Sequence, residues 1–157
     1  MTFLKKIISD NQKIELHKFN GESFVNLPQD YQNEHAVKVC FLDLETTGLN
    51  KQQCKIIEFA GKLTAIDKNN GELLGIIDSY QSFNDPEENI EAEITRVTGI
   101  TNEDVAGHSL DWKTVSTLID NADIIVAHNA SFDRAFMDRF LPISQEKIWV
   151  CSVNDIN

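Results

Sequence analysis

Two acidic residues stand two positions apart in the run Phe41-Leu42-Asp43-Leu44-Glu45-Thr46-Thr47-Gly48-Leu49. An extended strand has a side-chain period of two, so both carboxylates leave the same face. Neighbouring anions at a strand end are costly without a cation. Hard carboxylate oxygens suit Mg²⁺ or Mn²⁺, which keep coordination positions open for water and phosphate oxygens. The plain alternative is that Asp43 and Glu45 are strand-end and turn residues that hold nothing. A second group lies in Ala127-His128-Asn129-Ala130-Ser131-Phe132-Asp133, where an apolar run passes into a helical pattern. Such strand-to-helix junctions at the carboxyl end of a sheet are where α/β domains gather ligands. Taken singly, Asn129 or Ser131 reads as a helix N-cap, and Asp133 as first-turn compensation of the helix dipole. Taken with Asp43 and Glu45, Asp133 supplies a third carboxylate.

The elements that must position these residues follow from periodicity. From Val37 to Leu44 nearly every residue is apolar, the mark of a strand buried on both faces and therefore central. A second strand is expected over 55–66, then turn chemistry in Asp67-Lys68-Asn69-Asn70-Gly71, then a third strand over 73–83. Short turns between them imply an antiparallel meander. Two helices should follow: one with Ile90, Ile94 and Val97 at helical spacing, stopped by Gly99, and one capped by Asp111 over Trp112, Val115, Leu118 and Ile119. A short buried strand is expected over 123–127. Phe132, Ala135, Phe136 and Phe140 then share one helical face before Pro142, and a last strand runs over 148–151. The order points to an α/β domain with a mixed sheet. Residues 1–36 read as an N-terminal extension, in which Phe3, Leu4, Ile7 and Ile8 suggest a short amphipathic helix.

Composition narrows the class. The chain has 157 residues, 41% of them hydrophobic, and Lys+Arg 14 against Asp+Glu 25 gives a net charge of -11. That is room for one folded domain. Apolar runs meet a charge within about eight residues, so no membrane span is expected. Lys5 and Lys6 stand where a secretory apolar core would lie. Three cysteines without a CxxC pair argue against a disulfide framework or a thiolate zinc site and suggest a reducing, cytoplasmic compartment. An acidic chain is a poor coat for a duplex. It can still grip one strand end, because bound cations reverse the sign of the field at a carboxylate site.

FLDLETTGL, followed by IIEFAG (56–61), VTGIT (97–101) and IVAHNASFDRAFM (125–137), resembles the DEDD exonuclease superfamily. The nearest branch is DEDDh, the proofreading exonucleases similar to the epsilon subunit of DNA polymerase III. The resemblance covers 37–157. It implies an RNase H-like mixed five-stranded sheet, an antiparallel three-strand meander followed by parallel strands and flanked by helices. It also implies a two-metal 3′→5′ exonuclease that releases nucleoside monophosphates from the 3′ end of DNA or RNA. Asp43, Glu45 and Asp133 would be catalytic and hold the Mg²⁺ or Mn²⁺ pair. Thr46 and Thr47 would lie against the terminal nucleotide, Asn129 would line its pocket, and Phe132 would pack near base or sugar, a core role being equally open to it. The partners implied are a single-stranded 3′ end and a DNA polymerase or second chain.

In this family the general-base histidine belongs to a third motif, H-x₄-D, beyond the second. His128 precedes the Asn of the second motif and is not expected to be catalytic; His17, His35 and His108 lie in polar stretches. No third motif follows by Asn157, so the covering C-terminal helices, the fourth metal-binding Asp and the base His are expected to be missing. Loss of a general base costs ~10²–10⁴-fold, and the isolated chain is expected to be impaired. Two other readings remain: a non-catalytic binding module with a half-built site, and a structural domain with incidental carboxylates.

Overall fold

The strand that carries Asp43 and Glu45 is β3, Ala36–Thr46, and it lies at the centre of a five-stranded sheet of order β5-β4-β3-β6-β7. The computed structural model describes residues 4–9, 14–18 and 24–155. β4 (Ile56–Asp67) and β5 (Leu73–Phe83) complete the antiparallel meander. β6 (Ile124–Ala127) and β7 (Ile148–Cys151) are added in parallel on the other side. The turn between β4 and β5 is built as its residue types demand. The Asp67 carboxylate accepts from Asn69 N at 2.7 Å, the Asn70 side chain from Glu72 N at 2.8 Å, and Gly71 takes φ 74°.

One face of the sheet is packed. Cys40, Leu42 and Leu44 of β3, with Phe59 and Leu63 of β4, meet Val115, Leu118 and Ile119 of α3 (Trp112–Asp120) and Phe136 and Met137 of α4 (Ala130–Phe140). Asp111 caps α3 as expected, its carboxylate accepting from Lys113 N and Thr114 N. The opposite face carries Phe41, 45% exposed, and Ile148, 62% exposed. Residues Val25 to Leu27 lie along β5, with Leu27 N donating to Ile76 O at 2.7 Å and Ile76 N to Val25 O at 2.8 Å.

Two expectations need correction. Leu4–Ser9 is not a helix but strand β1, paired antiparallel with β2, Ile14–Lys18; Phe3 lies outside the described residues. The β-branched pair Ile7-Ile8 favours extended backbone, and the alternation of Ile14 and Leu16 has a strand period that apolar spacing in the first segment alone did not reveal. Between the meander and α3 there are two helices rather than one. α1, Ala92–Thr98, starts after Ile90 and ends at Gly99 with φ 79°. α2, Asn102–Val105, is set by a Thr101/Asp104 capping box.

Candidate active site

Asp43 and Glu45 project from the face of β3 opposite the helices, Asp43 exposed and Glu45 half-buried. Asp133 reaches the same place from α4. It sits in the first turn of that helix and is only 3% exposed. β6 pairs with β3 only from Val39 to Phe41, so beyond that point the β3 edge is open to α4. The Asp133 carboxylate lies towards the backbone N–H of Leu44, between the two other carboxylates, and towards its own N–H, and both favour its ionised form. A buried strand edge thus gains a partner from a helix, and three carboxylates from two elements converge.

Their electrostatics record that convergence. Burial, with the charges of Asp43 and Glu45 added, pushes the Asp133 carboxyl up to about 7, against the pull of its two backbone donors. Asp43 is raised by burial and by Glu58, and lowered by His128. Glu45 is raised by burial, Asp43 and Glu58. Oxygen donors of this kind fit a hard divalent cation. Among the described residues no three His, Cys, Asp or Glu side chains are gathered closely enough to hold an ion as they stand. The donor set is all carboxylate oxygen, the chemistry of a hard divalent cation, but its three members are not gathered closely enough to hold one as they stand.

The substrate-side residues divide. Thr46 is 6% exposed and donates to Gly48 O at 2.8 Å, which shapes the loop after β3. Thr47 donates to Glu88 at 3.2 Å and accepts from Lys55 N at 3.0 Å. Leu49, 83% exposed, follows directly. Asn129 occupies the N-cap position of α4 in the left-handed region, φ 63°, and makes no side-chain cap bond; its Oδ1 accepts from Ser131 Oγ at 3.4 Å. Cys151 serves the helix start instead. Burial pushes its thiol up, but backbone N–H groups of Val153, Ala130, Asn154 and Asn129 lie against the sulfur and bring it below the ordinary value. Phe132 meets Phe136 with ring centroids 5.0 Å apart and planes tilted by 51°, and packs against the core cluster.

The loop that carries Thr47 is tied to α4. Arg139 donates to Lys51 O and Cys54 O, each at 2.8 Å, and Lys51 Nζ donates to Ser131 O at 2.9 Å. These bonds fix the first motif against the helix that carries Asp133.

Glu58 was not foreseen. It is the cross-strand partner of Glu45 and accepts from Gln81 Nε2 at 2.8 Å. The sequence signal was present in the acidic residue of IIEFAG, but only the β3–β4 register places it opposite Glu45. His128 is exposed and close enough to Asp43 to favour its ionised form, and its Nδ1 lies 3.0 Å from Ser152 Oγ. His35 pairs with Glu34, and His108 packs on Phe83.

Residues 40–141 match the RNase_T family, described as Exonuclease. DNA polymerase III PolC-type from Staphylococcus aureus strain bovine RF122 is 38% identical over 128 residues, which is 76% of this chain and 8% of that protein. A second Staphylococcus aureus sequence of that description is 39% identical over the same span. The chain thus spans about one-twelfth of the length of the curated relatives it matches. The crystal structure of Escherichia coli exonuclease I in complex with an oligonucleotide superposes with a TM-score of 0.57 at 16% identity, over 74% of this chain and 28% of that one. That likeness extends to the fold.

Proposed function

We propose that this chain, which belongs to the RNase_T exonuclease family, hydrolyses the terminal phosphodiester at the 3′ end of a nucleic-acid strand through Asp43, Glu45 and Asp133. The sheet is the mixed, meander-first arrangement that the family resemblance implied. The observation that carries the proposal is the placement of a nearly buried Asp133 carboxylate on the Leu44 N–H, between two further carboxylates. Without a cation that arrangement only stores repulsion.

A pair of Mg²⁺ or Mn²⁺ ions supplies charge neutralisation at the scissile phosphate and an acidified water. Asp43, Glu45 and Asp133 would hold them. Asp133 lies against the β3 backbone and is nearly buried, so it has little freedom to move, and the more exposed Asp43 and Glu45 would close on the ion. Thr47 and the loop pinned by Arg139 form the wall against which the terminal nucleotide rests. The exposed Asn129 offers its amide N–H groups to sugar or base, its oxygen being taken by Ser131, and Phe132, engaged with Phe136, packs behind that wall. These contacts grip backbone and end, so they serve DNA and RNA alike. The branch assignment is DEDDh. The matched relatives are described as PolC-type DNA polymerase III, and we assign the domain to work beside a polymerase in the cytoplasm, on single-stranded 3′ ends. No helix among the described residues is long and apolar enough to cross a membrane.

A second reading is favoured by one observation. Phe41, two residues from Asp43, and Ile148, two strands away in the row of Val39, are left uncovered, as in a binding module completed by another polypeptide. On the first reading 37–157 is the catalytic unit and 1–36 an extension, of which residues 25–27 run along β5 and Ala36 opens β3. The test is digestion of a 5′-labelled single strand in Mn²⁺. Stepwise shortening from the 3′ end with release of nucleoside 5′-monophosphates, lost in Asp43→Ala, is expected. Internal cutting, shortening from the 5′ end, or an equally active variant refutes the proposal. Metal-dependent strand binding without cutting selects the second reading.

A further inference from the structure

Glu45, Glu58 and Phe83 form one row across three strands, since Glu45 pairs with Glu58 and Glu58 with Phe83. At about 4.8 Å per strand, Phe83 lies about 10 Å from the carboxylate site on the same face of the sheet. A groove of about 290 Å³ opens there, lined by Glu58, Gln81, Ser82, Phe83 and His108. Apart from Glu58, whose charge acts on Asp43 and Glu45, none of these residues enters the proposed chemistry.

Its chemistry selects an occupant. Phe83 and His108 stand edge to face, ring centroids 6.1 Å apart and planes at 78°, so the groove presents aromatic surface. It contains no Lys or Arg and does contain a carboxylate, so a phosphate is repelled. Glu58 takes one hydrogen bond from Gln81 Nε2, which leaves its second oxygen and the Gln81 amide oxygen as acceptors. Two acceptors call for N–H donors on the ligand. The volume lies at the lower end of small-molecule sites, room for one planar ring system.

We propose that this groove is a subsite for a nucleobase bearing an exocyclic amino group, belonging to a nucleotide upstream of the 3′-terminal one. The base stacks on one of the two rings, meets the other edge-on, as the 78° between their planes requires, and its amino group donates to Glu58. The subsite rests on the 3′-end reading of the carboxylate site and adds to it a preference for the amino-bearing bases adenine, cytosine and guanine over thymine at one upstream position. Aromatic stacking of a single-strand base is worth about 5- to 150-fold in affinity.

The experiment is fluorescence anisotropy with a 5′-fluorescein hexanucleotide whose 3′-terminal linkage is a phosphorothioate, in Mn²⁺. An abasic residue is moved through each position, and adenine, cytosine or thymine is then placed at the sensitive one. One upstream position should lose at least about 5-fold on becoming abasic. That penalty should vanish in His108→Ala, whose side chain is exposed, and in Phe83→Ala. Glu58→Gln should erase the preference for amino-bearing bases. A flat abasic scan, or a penalty unchanged in His108→Ala, overturns the subsite while the 3′-end reading stands. Failure of the unmodified strand to bind at all overturns both.

Discussion

Asp133 makes the metal-free fold pay for its site, and the cost depends on pH. Its carboxyl is raised from 3.8 to about 7, so the unfolded chain gives up its proton more readily than the folded one. A raised acid leaves stability intact below the unfolded value near 4 and removes it as pH climbs towards 7. Above both values the cost is about 4 kcal/mol, and about 2.5 kcal/mol of it develops between pH 5 and pH 8. Asp43 and Glu45 are raised too and add in the same direction. Asp85, Asp104 and Asp111 are lowered by their hydrogen bonds, so their effects fall below this window. The assay is urea unfolding at pH 5 and pH 8 in chelator, comparing wild type with Asp133→Asn. The amide keeps an acceptor for Leu44 N–H while losing the charge. Wild type should lose stability across the window by about 2.5 kcal/mol more than the variant, and Mn²⁺ should restore it at pH 8 in wild type only. Identical pH slopes for the two proteins would refute the account of Asp133 as a buried carboxyl held among like charges.

Further outcomes follow from the packing. Gly61→Ala would place a methyl 2.6 Å from Leu118 Cδ2 and 3.0 Å from the Phe59 ring, so it should cost about 1–3 kcal/mol in urea unfolding. Unchanged stability would show that β4 and α3 are not in tight contact there. Arg139→Ala removes both bonds to Lys51 O and Cys54 O; being exposed, they should be worth about 1–2 kcal/mol. Amide exchange should accelerate over 47–55 and not over β4, and equal protection in the loop would contradict the tether.

Much of this arrangement was legible beforehand because its signals are local. The apolar run from Val37 fixed the central strand, Asp111 and Gly99 marked helix ends, and the Asp67 to Gly71 turn carried its own chemistry. The carboxylate pair could be read from spacing alone. What could not be read depends on register and on competition between elements. Glu58 joins the site only because β4 runs antiparallel with that residue opposite Glu45. Asp133 is buried because β6 ends early and leaves a Leu44 N–H for it, which no periodicity encodes. Leu4–Ser9 shows the converse: apolar spacing fitted a helix, and pairing with Ile14–Lys18 prevailed. Thr46 turned inward to Gly48 O, so of the two threonines Thr47 is the one that faces the loop's polar contacts.

The central claim is that Asp43, Glu45 and Asp133 form one divalent-metal centre. Titration of Mn²⁺ into the metal-free protein, read by the loss of the free-ion paramagnetic resonance signal, tests it without recourse to activity. Saturable binding is expected in wild type and its loss in Asp43→Ala and in Asp133→Asn. Wild type that binds no Mn²⁺, or variants that bind it equally well, would contradict it.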